Sequence, residues 1–241
     1  MNKLSSVRKY SLFGSARSIA MLVAACAIVC TGPAAADIVA NGGFELGTFT
    51  GGNSLAQQVQ PGAGELSGWT ISNAPATWYA SGWNNNPQQI ALTPRTGNFG
   101  VSLADGSVRT VSLSQTINLL PFQQYQLSFW VGNYSVNNGP AGVNVNITDG
   151  TSNTLLLSES VTAPATGGAS AWTRFAFNFI ADGTSNTISF SELNGPSYIG
   201  LDDVSIAAVP EPATWAMMIL GFAAVGLVAY RRKSRSPLMV A

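Results

Sequence analysis

The sequence contains no histidine, and both cysteines, Cys26 and Cys30, lie among the first 36 residues. Between residues 37 and 209 there is also no lysine. Ser-His-Asp and Cys-His nucleophiles, His-ligated zinc and lysine Schiff bases each lack a required member there. With no thiol in that stretch, disulfides and thiolate ligands are excluded as well. What remains for acid-base chemistry is ten Asp and Glu residues. A glycosidase needs two carboxyl groups flanking a cleft, about 5 to 10 Å apart. No pair here sits in a recognisable catalytic pattern, so the chain reads as a non-enzyme, with a small glycosidase kept as a third reading behind two non-catalytic ones.

Binding chemistry is better represented. The stretch TWYASGWNNNPQQ, residues 77 to 89, interleaves Trp78, Tyr79 and Trp83 with Asn84, Asn85 and Asn86. Sugars offer apolar C–H faces to flat rings and hydroxyls to amides, so this composition suits a glycan. The candidate ligand-binding residues are Tyr79, Trp83, Asn84 and Asn85, with Trp83 central. Packing competes for such rings: Trp69 is expected in the core, and Trp130 on the strand face opposite Phe129. The segment 37 to 209 has three Arg against ten acidic residues, a net −7. Phosphate backbones and anionic surfaces demand basic clusters, so nucleic acid is excluded as a partner.

The elements that would position these residues are strands. Apolar and polar residues alternate in Val111 to Ile117, along Tyr125, Leu127, Phe129 and Val131, and along Val143, Val145 and Ile147. The same holds for Phe175, Phe177 and Phe179, and for Ile188 and Phe190. Period-two alternation marks half-buried antiparallel strands, and no helical period is sustained between 37 and 209. The expected fold is all-β, an antiparallel jelly-roll β-sandwich. The hexapeptide DGTSNT occurs at Asp149 to Thr154 and again at Asp182 to Thr187, each copy between two alternating runs. Asp-Gly supplies turn geometry, and both copies are expected to be hairpin loops. A Ca²⁺ loop is the sharper alternative, but each copy brings one carboxylate. The flanking strands match too loosely to support internal duplication.

NGGFELG (Asn41 to Gly47), SGWTI (Ser67 to Ile71) and YIGLDDVSI (Tyr198 to Ile206) resemble the ends of galactose-binding-like β-sandwiches, including carbohydrate-binding modules. The resemblance implies neighbouring terminal strands and a structural Ca²⁺ held by Glu45 and Asp202, with Asp203 beside them. Spacing in the last strand agrees in part. Ile199 and Leu201 share one phase and Val204 and Ile206 the other, which requires a shift, expected as a bulge, at Asp202-Asp203. The alternative to calcium is that Asp202 caps a turn or accepts bonds from backbone amides.

Both ends of the chain are basic and apolar. Lys3, Arg8, Lys9 and Arg17 precede SIAMLVAACAIVC and then TGPAAAD, whose Ala34 and Ala36 form a small-x-small site. This is expected to be a signal peptide, residues 1 to 36, cut by signal peptidase after Ala36. An uncleaved anchor, or lipidation at Cys26, are the alternatives. At the other end, Pro212 to Tyr230 carries no charge and as a helix reaches about 28 Å, close to a bilayer core. Arg231, Arg232, Lys233 and Arg235 follow, a cluster retained on the cytoplasmic side, and Trp215 and Tyr230 stand at the two ends of the run. Pro210, Glu211 and Pro212, with Trp215, the apolar helix and Arg231, Arg232 and Lys233, resemble the PEP-CTERM sorting signal of Gram-negative bacteria. The resemblance implies an exosortase as partner, cutting near Pro-Glu-Pro; an ordinary single-span anchor is the alternative. The expected organisation is a sandwich over 37–208, a sorting signal over 209–235 with a membrane helix at about 213–230, and a tail over 236–241. Three functional readings stand. The first is an exported, non-enzymatic protein of the cell envelope or the extracellular polysaccharide matrix. The second is a specific carbohydrate-binding module, and the third the glycosidase.

Overall fold

A computed structural model describes residues 38–83, 93–103, 111–133, 141–164, 171–193, 199–210 and 212–233. The expected signal peptide, Asn84, Asn85, Glu211 and the tail 236–241 lie outside the described residues, and Pro212, Trp215, Arg232 and Lys233 are described as helix backbone only.

Eleven strands form two sheets: β1 (Ala56–Val59), β2 (Thr70–Ser72), β3 (Ala76–Ala80), β4 (Phe99–Ser102), β5 (Ser112–Asn118), β6 (Gln124–Asn133), β7 (Ala141–Asp149), β8 (Leu155–Ala163), β9 (Trp172–Ile180), β10 (Ser185–Glu192) and β11 (Ile199–Ala208). The six-stranded sheet runs β1-β3-β4-β11-β6-β9 and the five-stranded sheet β2-β5-β10-β7-β8. Every assigned strand pair is antiparallel. Only β3 to β4 and β7 to β8 join neighbours within a sheet; the other connections cross between sheets. That alternation is what turns a period-two sequence into a sandwich: each strand buries one face, and the next must come from the opposite layer.

The alternating residues fill the core as their phase requires. Leu127, Phe129 and Val131 meet Val143, Val145, Ile147, Ile188 and Phe190, all fully buried. Phe129 packs edge-on against Phe190 at 5.1 Å between centroids, bridging the sheets. Trp69 is in the core as expected, its Nε1–H donating to the Asn41 carbonyl at 2.9 Å.

NGGFELG folds as a turn that docks beside β11. Asn41 is its hub: the side chain donates to the Leu46 and Ser67 carbonyls and accepts from the Leu46 N–H. Asn41 and Phe44 both take left-handed backbone angles. Val204 N–H donates to the Gly42 carbonyl at 2.9 Å, so the two terminal segments are neighbours. Gln115, on the inner face of β5, was not visible as a structural residue in the sequence. Its buried amide accepts from Ala40 N–H and donates to the carbonyls of Ala40 and Gly68, pinning this segment to the second sheet.

The two DGTSNT copies differ. The first is a hairpin loop between β7 and β8, where Asp149 Oδ1 accepts from Thr151 N–H, Ser152 N–H and the Ser152 hydroxyl. Those bonds from Ser152, chiefly its N–H, hold the Asp149 carboxyl below its ordinary range. The second copy is no hairpin: β9 lies in one sheet and β10 in the other, so it carries the chain across. The same hexapeptide serves two topologies, with Asn186 Nδ2 donating to the Gly183 carbonyl at 3.0 Å in the second copy, because it favours a local bend without fixing the partner of the next strand. The copies end side by side, with Gly150 N–H donating to the Ser185 carbonyl at 2.8 Å and a Cβ on Gly183 falling 2.0 Å from Asp149 Oδ2.

Beyond β11 a helix, α1 (Pro212–Lys233), follows, and its described side chains are exposed. Among the described residues no helix is long and apolar enough to cross a membrane.

Candidate functional site

In the six-stranded sheet Trp78, Val101, Leu201 and Val131 form one cross-strand row in the core. The residues between them in each strand therefore face outward. One outer row runs Thr77, Ser102, Gly200, Gly132 and Trp172. Next to it Tyr79 pairs with Gly100, and Asp202 with Trp130, which pairs in turn with Arg174. The outer face thus has a glycine floor, Gly100, Gly132 and Gly200, with aromatic rings at Tyr79, Trp130 and Trp172. Glycine is required at one of these positions by close approach, since a Cβ on Gly100 would lie 2.8 Å from Tyr79 Oη.

Tyr79 and Trp83, expected to present faces to a ligand, come together on this outer face, 5.3 Å apart and tilted by 30°. Neither presents a free face: Tyr79 is fully buried and Trp83 is 6% exposed, packed with Leu55, Ala56 and Trp172. Their partners in the sequence reading, Asn84 and Asn85, lie outside the described residues. Trp172 is the aromatic that sequence reasoning passed over. The signal was present: it shares the phase of Arg174, Ala176 and Asn178, opposite to Phe175, Phe177 and Phe179. Trp130 faces away from Phe129 as expected and is half-buried, with the Arg95 guanidinium 3.9 Å above its ring. Such a stacked cation contributes about 0.5 to 2 kcal/mol.

Glu45, Asp202 and Asp203, the residues expected to hold calcium, all accept hydrogen bonds from the loop 95–99. β11 breaks register between Asp202 and Ser205, the expected bulge, and Asp203 takes φ +49°. Asp202 is completely buried; its Oδ2 accepts from Arg95 N–H at 2.8 Å and Thr96 N–H at 3.3 Å, and its Oδ1 from Asp203 N–H at 2.8 Å. Asp203 pairs with the Arg95 guanidinium and accepts from the Thr96 hydroxyl at 2.6 Å. Glu45 takes the same loop from its other side, accepting from Asn98 N–H and from Phe99 N–H at 2.8 Å. A Cβ on Gly97 would sit 2.3 Å from Glu45 Oε1, and Gly97 has φ +64°, so only glycine lets the loop wrap that carboxylate.

Four backbone N–H groups of one loop are therefore caught between carboxylates from the first and last segments of the domain. Burial, then the charge of Asp203, pushes the Asp202 carboxyl up to about 7, against the pull of the N–H donors of Asp203, Thr96 and Arg95. Calcium demands six to eight oxygen ligands at 2.3 to 2.6 Å. Here the carboxylate oxygens face N–H groups, and Arg95 supplies the positive charge that the resemblance assigns to the metal. Among the described residues no three carboxylates converge on one point. The donor set fits an amide cradle and does not fit calcium. EDTA is accordingly expected to leave the melting temperature unchanged, since a ligand bound only to the folded form would have raised it; a drop of several degrees, restored by CaCl₂, would refute the cradle.

Comparison with known proteins places these observations in a family. Residues 36–207 match the HpiC1-like family model, described as HpiC1 cyclase, and residues 208–233 match the PEP-CTERM protein-sorting motif. Halomucin of Haloquadratum walsbyi is 24% identical over 181 residues, 73% of this chain but only 2% of its own length, so the chain spans a small part of that relative. Among solved structures, TmCBM61 in complex with beta-1,4-galactotriose is 20% identical, with a TM-score of 0.48 over 72% of this chain and 99% of its own. A family 35 carbohydrate binding module from Clostridium thermocellum is 16% identical, with a TM-score of 0.40 over 64% of this chain and 98% of its own. On the family match across its sandwich, the chain belongs to the HpiC1-like family and carries a PEP-CTERM sorting motif after its last strand.

Proposed function

We propose that this is an exported protein of the cell envelope or extracellular polysaccharide matrix, sorted through its PEP-CTERM signal by an exosortase. The observation that carries the reading is the abruptness of the junction. β11 ends at Ala208, Pro210-Glu211-Pro212 follows at once, and α1 begins at Pro212. A proline donates neither to a sheet ladder nor within a helix, so the two prolines in sequence favour a break between strand and helix where a protease could act. In this reading signal peptidase removes residues 1 to 36. The run Pro212 to Tyr230 then spans the inner membrane until it is cut, and Arg231, Arg232 and Lys233 hold the tail in the cytoplasm. The test is deletion of the exosortase in the native host. Full-length tail should accumulate in the inner membrane fraction, and unchanged processing would overturn the assignment.

A second reading, favoured by the outer face of the six-stranded sheet, is a glycan-binding module. Trp130 and Trp172, both half-buried, flank a floor of glycines, and the exposed Gln58 stands at its edge, its Nε2 donating to the buried Thr77 Oγ1 at 2.7 Å. Full-length protein in detergent on a glycan array should bind a neutral oligosaccharide, and Trp172→Ala should weaken that binding at least about tenfold, equal to 1.4 kcal/mol. Binding unaltered by Trp172→Ala and Trp83→Ala would place the ligand elsewhere. The family's description as a cyclase keeps catalysis as an alternative. Against it, the one described carboxyl raised to about 7, Asp202, is sealed beneath the Arg95 loop and faces its amides. Glu45 and Asp203 are engaged by the same loop, through Phe99 N–H and the Thr96 hydroxyl.

A further inference from the structure

One end of the sandwich carries three connections, 119–123, 150–154 and 181–184, together with the exit of the chain toward α1. It also carries large apolar side chains that the fold does not use. Leu120 is 69% exposed, Phe122 80% and Ile180 59%. Gln124 pairs with Ile180, and Phe122 N–H donates to the Ala181 carbonyl at 2.7 Å, so the three lie close together across β6 and β9.

These side chains are displayed by a firmly held turn. Leu120 N–H donates to Tyr125 Oη at 2.9 Å, Ala181 N–H to the Gln123 carbonyl at 3.1 Å, and Gln123 Nε2 to the Val209 carbonyl at 3.1 Å. Phe122 is held at φ +62°, a left-handed conformation costly for a bulky side chain. An unfavourable backbone angle that leaves an apolar ring in water brings the fold no packing, which points to a use outside the fold.

The chain's own course identifies the occupant. Val209 N–H is bonded to the Gln124 carbonyl at 2.9 Å, and α1 begins three residues later. Three residues span at most about 11 Å, so the start of the apolar helix is tethered beside the Leu120-Phe122-Ile180 patch. We propose that this patch is a membrane foot: Leu120, Phe122 and Ile180 enter the outer interface of the same bilayer that α1 crosses, seating the sandwich on the lipid with this end down. The inference rests on α1 spanning the membrane. Phe and Leu are suited to the interfacial layer, where their apolar surface leaves water without reaching the bilayer centre. Charge agrees, since Asp182 is the one ionisable residue exposed on these three connections, so little must be desolvated. A seated domain would also present Pro210-Glu211-Pro212 at the membrane surface in a fixed orientation to a membrane-embedded protease.

The test uses the full chain, with Cys26→Ser and Cys30→Ser, reconstituted in phosphatidylcholine–phosphatidylethanolamine vesicles. An environment-sensitive dye is attached at Phe122→Cys or, in a separate protein, at Val225→Cys in mid-helix. Both dyes should be blue-shifted, quenched at least twofold by bromolipids and protected from aqueous iodide. A lipid-quenched dye at 225 with an iodide-accessible dye at 122 overturns the foot and leaves the span standing. Loss of lipid quenching at both sites overturns the span itself. A dye at 122 that becomes protected only when exosortase is added shows a protein partner in place of lipid, and also overturns the foot. Phe122→Asn separates display from stability: asparagine tolerates the left-handed angle, so its melting temperature should hold or rise, while membrane protection of a dye at Leu120→Cys falls. A lower melting temperature with unchanged protection would make Phe122 a structural residue and sink the proposal.

Discussion

Gly42→Ala is expected to lower the melting temperature by roughly 8 to 16 °C, while Gly43→Ala moves it by little. The two glycines are neighbours, yet their surroundings differ completely. A Cβ on Gly42 would lie 1.8 Å from the Val204 carbonyl oxygen and 2.9 Å from its carbon, both backbone atoms of β11. A Cβ on Gly43 meets nothing closer than Asp203 Oδ1 at 3.6 Å. Side chains can swing aside, but a strand fixed in the middle of a sheet cannot, so the N-terminal turn would have to leave β11. That would break the Val204 N–H to Gly42 carbonyl bond and shift Phe44, which is fully buried and whose carbonyl accepts from Trp78 Nε1 at 3.0 Å. Overpacking in a filled interior costs about 1 to 3 kcal/mol, and displacement of buried backbone takes the cost to about 4. At about 2 to 4 °C per kcal/mol for a domain of this size, the stated fall follows. Equal melting temperatures for the two variants, measured by circular dichroism, would mean that the first and last segments are not packed together.

Stability should also fall as pH rises from about 4 to about 7, because of Asp202. Its folded-state carboxyl is raised to about 7, above an unfolded value of about 3.9. Between those limits the folded protein holds a proton that the unfolded chain has lost. The contribution is fully present below pH 4 and disappears as pH passes through 7, amounting to about 4 kcal/mol over the whole window. Asp202→Asn cannot titrate, and its stability between pH 4 and 7 should lack this decline. The quantity to follow is the difference between wild type and variant in urea denaturation at each pH, which cancels the other carboxylates. A constant difference would mean that Asp202 is ionised throughout, its N–H donors outweighing burial. Asp149 acts in the opposite direction. Its lowered carboxyl stabilises the fold above the ordinary Asp range, and this is lost as pH falls below it.

Much of the architecture was legible in the sequence because a strand announces its two faces. The Phe175, Phe177 and Phe179 phase, the Tyr125 to Val131 phase and the break at Asp202-Asp203 were each readable from alternation alone, and each is present in β9, β6 and β11. What alternation cannot carry is which sheet a strand joins. The second DGTSNT copy therefore reads as a hairpin loop in sequence and is a crossover in the fold.

The site was less legible for a related reason. Rings and carboxylates are identified by type, but their role depends on what is opposite them. Tyr79 stands in sequence as a ring beside amides, and the sheet turns it across Gly100 and buries it against Trp83. Glu45, Asp202 and Asp203 all bond to one loop in the fold. The loop between them, with Arg95, Thr96, Asn98 and Phe99, is about a hundred positions away from Asp202 in sequence and carries no motif that would announce an amide cradle. Trp172 was overlooked although its phase was available, because its neighbours in sequence are unremarkable and its partners, Gly132 and Gly200, are adjacent only once the sheet has formed.

The most direct measurement is mass spectrometry of both termini of the protein purified from fractionated cells of its native host. An exported and sorted protein should be recovered outside the cytoplasm, beginning at Asp37 and, where an exosortase is present, ending near Pro210 to Pro212 without α1. Cytosolic protein that still runs from Met1 to Ala241 would contradict both export and sorting.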